Sequence, residues 1–181
     1  TQIASGPGYI RIYGPDNLVD LLEIRVEGGV LQIKYKENVS IVAQKRPKVI
    51  AGSRGLKDIS VSGSGDVKVV SPLRGDELNI HIKGSGDIEG KSFDFKSITA
   101  YIAGSGDLEL KSSRCEYFSA TIQGSGDAEV KGLTSNRFEG KVRGSGDLEV
   151  SGTTGIASYE VMGSGTIDAR EFKSDEVNAV V

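Results

Sequence analysis

The chain has 181 residues, with 22 basic and 25 acidic side chains interspersed for a formal charge of −3, and 25 glycines against four prolines. With no Trp and few aromatics, this composition argues against a helical bundle and for a turn-rich β protein, and the even charge leaves no basic field for nucleic acid or anionic lipid. No run approaches the ~18 apolar residues of a membrane helix, so no transmembrane segment is expected in this chain, and TQIASGPGYI shows no basic-then-apolar signal pattern.

From the N-terminus, YIRIYG at residues 9 to 14 reads as a strand, and LLEIRVEGGVLQIKYK as two strands around the hairpin signal Glu27-Gly28-Gly29. With the less regular stretch to about Leu56, these form an N-terminal β cap, residues 1–56. The cap covers the open edge of the segment 57–181 and is continuous with it. Tyr9, Tyr13 and Tyr35 serve equally well there as core or as edge cover. Ile59 and Val61 already fall in the register of the longer segment.

Residues 57–181 form a repeat. Gly-Ser-Gly-Asp occurs at Gly63, Gly84, Gly104, Gly124 and Gly144, and Gly-Ser-Gly-Thr at Gly163, with spacings of 21, 20, 20, 20 and 19. Two, four and six positions before each motif come apolar or small residues: Leu78, Ile80, Ile82; Ile98, Ala100, Ile102; Phe118, Ala120, Ile122; Phe138, Gly140, Val142; Ala157, Tyr159, Val161. Period two means strand, with one face buried and the alternate, mostly polar face solvated. A second alternating stretch comes after each motif, as at Leu108 and Leu110 or Leu148 and Val150. A third anchor at Phe93, Leu133 and Phe172, in a looser Lys/Ser/Thr stretch, marks a third short side. A meander would reverse at every turn; identical turns stack like positions when each unit makes one full coil.

The fold expected is therefore all-β, a right-handed parallel β-helix or β-solenoid with about 20 residues per coil, right-handed by the general preference of parallel crossovers. Projecting the register past Gly163 puts the next inward positions at Val177, Ala179 and Val181, one strand into a further coil. A homo-oligomer through this C-terminal coil edge is one consequence.

Gly-Ser-Gly-Asp resembles a functional loop but fits neither a P-loop, which needs Gly-Lys-Ser/Thr, nor a dinucleotide fingerprint, which needs a helix after the glycines. Its glycines suit a tight corner and its Ser and Asp suit bonds to backbone N–H groups. Stacking aligns Asp66, Asp87, Asp107, Asp127 and Asp147 in a column that a hard cation such as calcium favours. The calcium-binding nonapeptide repeat is half as long, however, and Thr166 ends the series. Turn capping is the expected role.

His81 is the only histidine and lies at an outward position, so no Ser-His-Asp triad or His-rich zinc site is assembled. Cys115 cannot form an intrachain disulfide, lies in a variable segment and reads as a buried or incidental thiol. Tyr101 is an outward aromatic suited to stacking on a sugar, though isolated. Paired carboxylates on adjacent coils would suit a glycosidase, but an active site breaks repeat symmetry and these coils are nearly uniform. No catalytic, cofactor-binding or metal residue is assigned, and no cofactor is expected.

Leu56 to Asp66, L-x-D-I-S-V-S-G-S-G-D, the successive GSGD units and EGGVLQIKY together resemble the family of secreted bacterial domains of unknown function described as putative autotransporter adhesin heads, the head GIN domain. The resemblance implies a right-handed β-helix exported to the periplasm, outer membrane or cell surface behind a signal or lipid anchor not visible in this chain. It brings no catalytic or metal residues with it. The function expected is a noncatalytic extracytoplasmic binding or structural module of the cell envelope, with a glycan or surface protein as partner. The alternatives are a polysaccharide-active enzyme of the pectin lyase-like class, with a groove of clustered Asp, Lys or Arg, and a self-assembling envelope subunit.

Overall fold

The computed structural model describes residues 2–4, 7–36, 47–53 and 55–180. Their architecture is all-β, with one four-residue helix, Asp16–Val19, entered through Pro15. Gly28 and Gly29 both take positive φ, 57° and 81°, and close the hairpin between Leu22–Glu27 and Val30–Tyr35. Two successive positive φ values match the twist of an antiparallel pair, as Gly-Gly allows.

From Asp58 onward the chain coils and every pairing between coils is parallel, with equivalent residues of successive units side by side. Thus Ile80, Ala100, Ala120, Gly140, Tyr159 and Ala179 share one row, and Gly63, Gly84, Gly104, Gly124, Gly144 and Gly163 another. The result is a β-solenoid of stacked coils about 20 residues apart, each with a pre-motif side, a post-motif side and a third side. Inward residues of all three sides form one core; Leu78, Ile98, Phe118, Phe138, Leu108, Val130, Phe93 and Leu133 are each at most 1% exposed. Fully burying one such side chain contributes about 1.5–3 kcal/mol, so the coil stack supplies the driving force that a chain without disulfides needs.

The third side is more regular than the loose stretch expected. In Phe93–Gly104 one strand runs from it into the pre-motif side, and in Ala128–Gly144 and Leu148–Gly163 strand continues around almost the entire coil. Its inward row is Leu73, Phe93, Ser113, Leu133, Gly152 and Phe172. Phe138 centres an aromatic cluster, 5.9 Å from Phe118, 5.1 Å from Phe172 and 6.0 Å from Tyr159 between ring centroids. Gly140 leaves room for it, since a Cβ there would come within 2.8 Å of Leu148 and 3.0 Å of the Phe138 ring.

At the N-terminal end, Gln2–Ala4 pairs antiparallel with both Val30–Tyr35 and Asp58–Gly63, joining the hairpin to the edge of the first coil in one sheet. Pro7–Tyr13, the YIRIYG strand, pairs with Lys48–Ser53 in a separate ladder. Part of the stretch read as edge cover, residues 37–46, lies outside the described residues, as does Val181. Tyr9, Tyr13 and Tyr35 are 54%, 51% and 38% exposed, so they are not core. At the other end Ile167–Val180 pairs only with Leu148–Gly163 among the described residues. Val177 and Ala179 stand in the inward rows of Ala157 and Tyr159 as expected, yet are exposed because no described coil stacks on them.

Candidate functional site

The repeated corner is built by two ladders. At Gly104, φ is 147°, and a Cβ would lie 2.8 Å from the Gly84 nitrogen and closer still to the Gly84 carbonyl oxygen. Each motif therefore sits directly on the backbone of the previous one, and Ser105 and Gly106 both donate N–H bonds to the Gly84 carbonyl, at 2.8 and 3.0 Å. The second ladder is carboxylate. The backbone N–H groups of Asp107, Asp127, Asp147 and Thr166 donate to Oδ1 of Asp87, Asp107, Asp127 and Asp147 at 2.8–2.9 Å, and Asp87 to Asp66 at 3.2 Å. Thr166 also donates its hydroxyl to Asp147 at 2.7 Å, which with its N–H holds the Asp147 carboxyl below the usual carboxylate range. One oxygen of every column aspartate is thus committed to the next coil's backbone, the turn-capping role expected of it. Among the described residues no group of three or more His, Cys, Asp or Glu is arranged to hold a metal.

The post-motif side carries outward Lys68, Glu89, Glu109, Glu129, Glu149 and Asp168 in one row. Stacked like charges repel, and cations offset them: Lys68 pairs with Glu89, Lys111 with Glu109, Lys131 with Glu129, and Arg170 with Asp168. Arg170 holds the Asp168 carboxyl down to about 2. This row was visible in the sequence as the glutamate two residues after most motifs.

On the third side a groove of about 520 Å³ runs past Asp94, Lys96, Arg114, Glu116, Phe95, Cys115 and Ser135. It is the kind of feature a polysaccharide-active enzyme requires, but its charges alternate in sign along and across the coils. Asp94 faces Arg74 at 3.9 Å, and Lys96 pairs with Asp76 at 2.7 Å. Lys96 lowers the Asp76 carboxyl, whereas a proton-donating acid needs its pKa raised. Cys115 is buried, as expected, and desolvation pushes its thiol up to about 12, away from nucleophile chemistry.

The pre-motif side presents outward rows of distinct chemistry. His81 lies outward as expected, with its ring 6.3 Å from that of Tyr101 on the next coil. Tyr101 is not isolated, for Tyr117 stands on the same face one coil further. Each phenol reaches diagonally over the adjacent coil: Tyr101 donates to Gln123, and Tyr117 to Glu139 at 2.7 Å. Both residues are half-buried. Burial and the Glu139 bond raise the Tyr117 phenol, while Lys141 first and Tyr117 second lower the Glu139 carboxyl, so the proton stays on Tyr117. Sequence reading missed Tyr117, although its parity with inward Phe118 places it outward.

The outward residues of two consecutive coils, Ser97, Thr99, Tyr101, Ala103 and Tyr117, Ser119, Thr121, Gln123, include no Asp, Glu, Lys or Arg, and on the preceding coil Asn79 and His81 stand between Glu77 and Lys83. The next coil presents Arg137, Glu139, Lys141 and Arg143, all charged. Fold and surface together define a β-solenoid with a flat, solvated, chemically segmented face and a corner devoted to stacking.

The chain belongs to the family described as putative auto-transporter adhesin, head GIN domain, whose model matches residues 3–150 and 116–181. Among solved structures it is similar to a putative adhesin from Bacteroides fragilis NCTC 9343, at 24% identity and a TM-score of 0.73, over 94% of this chain and 82% of that one. It is also similar to a putative lipid binding protein from Parabacteroides distasonis ATCC 8503, at 21% identity and a TM-score of 0.65, over 96% and 84%. At these identities the likeness concerns the fold. No curated protein matches the chain. Among the described residues no helix is long and apolar enough to cross a membrane.

Proposed function

We propose that the protein is a noncatalytic, extracytoplasmic binding module of the bacterial cell envelope that meets its partner, a glycan or a surface protein, on the pre-motif face. The observation that carries this is the face itself: seven strands from Asp58–Gly63 to Ile167–Val180 aligned in register. At ~4.8 Å between strands and ~3.3 Å per residue it spans roughly 29 by 23 Å. That is close to one partner's share of a standard interface, about 800 Å². The family's adhesin description supports the same reading and its surface location. The test is to display the full chain on glycan and protein arrays and to compare adhesion of cells with and without the gene. Specific capture with reduced adhesion supports the module; an empty array together with unchanged adhesion refutes it.

One observation favours self-assembly as a second reading. The long strand Ile167–Val180 has one partner among the described residues and presents Val177 and Val180 at 58% and 68% exposure, the kind of edge that pairs with another chain. Light scattering of a strictly monomeric species at ~100 μM would dismiss it, that concentration being the micromolar range in which exposed edges associate.

A further inference from the structure

Resting on the binding-module reading, we infer that the uncharged patch centred on Tyr101 and Tyr117 binds a neutral carbohydrate chain. Charge is the first argument. In a chain with 26% charged residues, two whole outward rows have none, and the boundary with Arg137 to Arg143 is abrupt. A neutral polyol offers hydrogen bonds but no opposite charge to pair with, so a patch without charges loses no ion pair or charge solvation when such a ligand covers it. An acidic polysaccharide would instead meet no cation within the patch.

Geometry supplies the second argument. Tyr101 and Tyr117 are one coil and four residues apart, roughly 14 Å between Cα atoms. Each phenol is tethered over the next coil, to Gln123 and Glu139, so each half-buried side chain is held across neighbouring strands of the sheet. A tethered ring costs little further ordering when a sugar stacks on it. Two such platforms on a flat surface fit an extended chain of rings. Thr99 and Thr121 add hydroxyls, each both donor and acceptor, which matches the hydroxyl groups of a sugar. A protein hot spot draws on Trp and Arg as well as Tyr, seated in a well-packed pocket, and of these three types the two rows supply tyrosine alone.

The test is affinity electrophoresis of the full chain through gels containing neutral mannan, dextran or β-glucan, against gels containing acidic alginate. Retardation is expected in at least one neutral gel, changing less than about twofold between ~0.05 and ~0.5 M NaCl, since screening acts only on charge. Tyr101→Ala and Tyr117→Ala should each weaken it about tenfold or more, because an aromatic platform contributes on that scale. Tyr101→Phe, which keeps the ring but loses its bond to Gln123, should weaken it less than Tyr101→Ala, and Arg143→Ala on the charged coil should stay within about threefold of the parent. No retardation by any neutral gel, retardation only by alginate with steep salt dependence, or undiminished retardation of both Ala variants would overturn the carbohydrate assignment. If a protein ligand from the arrays is lost in Tyr101→Ala, the assignment falls and the binding-module reading stands. An empty array with unchanged adhesion removes both.

Discussion

Replacing Gly104 by Ala tests whether the motif glycines are there for stacking. The new Cβ would sit 2.8 Å from the Gly84 nitrogen, 3.1 Å from its carbonyl carbon and nearer to its oxygen, against an ordinary contact of 3.4 Å or more. All three are backbone atoms, so no side chain can swing aside, and the coils must part locally. Two N–H bonds to the Gly84 carbonyl then stretch, those of Ser105 and Gly106, at about 1 kcal/mol each. A φ of 147° costs a non-glycine residue a further 1–3 kcal/mol or so. The sum is about 3–5 kcal/mol, a large share of a typical domain's stability. Gly28→Ala is the control: φ is positive there too, 57°, but nothing lies within 4 Å of the new Cβ, so about 1–2 kcal/mol is expected. Urea unfolding monitored by far-ultraviolet circular dichroism gives both values, and m-values show whether unfolding remains one transition. Equal losses in the two variants, or a loss below about 1 kcal/mol for Gly104→Ala, would show that backbone contact between motifs does not set the glycine requirement.

The aspartate ladder predicts that Asp107→Asn, which keeps an oxygen for the Asp127 N–H, leaves the thermal midpoint nearly unchanged. Asp107→Ala should lower it by about 2–4 °C, the shift for one lost bond in a chain this long, and added calcium should not restore it. A calcium-dependent rise in the parent's midpoint that is absent from Asp107→Asn would instead make the column a cation site. Cys115 should resist thiol reagents at pH 8 until urea is added, because burial keeps its proton on. Its folded pKa is raised from 9.0 to about 12, so the unfolded state holds fewer protons than the folded state between those values. The stabilisation is complete below about pH 9 and is lost as pH rises toward 12. Cys115→Ala should show a shallower decline in unfolding free energy over that window, and equal slopes would contradict the burial argument.

The solenoid was legible because stacking makes a coil's inward positions recur at fixed distance from Gly-Ser-Gly-Asp, and a side chain facing a shared core must be apolar whichever coil it is on. The third side was less legible because its core is filled jointly with the post-motif side. Gly90 exists because Phe93 occupies the space its Cβ would need, while on the next coil Leu110 accompanies the small, buried Ser113, whose Oγ has no partner. Inverse sizes preserve volume within a coil and destroy periodicity along one row, so the sequence shows only large members of it as anchors, Phe93, Leu133 and Phe172, and leaves out Leu73 and the small Ser113 and Gly152. Asp16–Val19 was invisible for another reason, since a single turn has no hydrophobic period to detect. The proposed recognition face was hidden by the parity that revealed the core: an outward position need only be tolerant of water, so Tyr101 stands alone in the sequence and Tyr117 carries no signal of its own. Only pairing Tyr101 with Thr121 and Ser97 with Tyr117 brings the two phenols onto one surface. In a repeat protein the shared residues specify the stack, and what distinguishes one coil from the next is free to specify the ligand. Here that difference is the loss of charge over two coils and its return at Arg137.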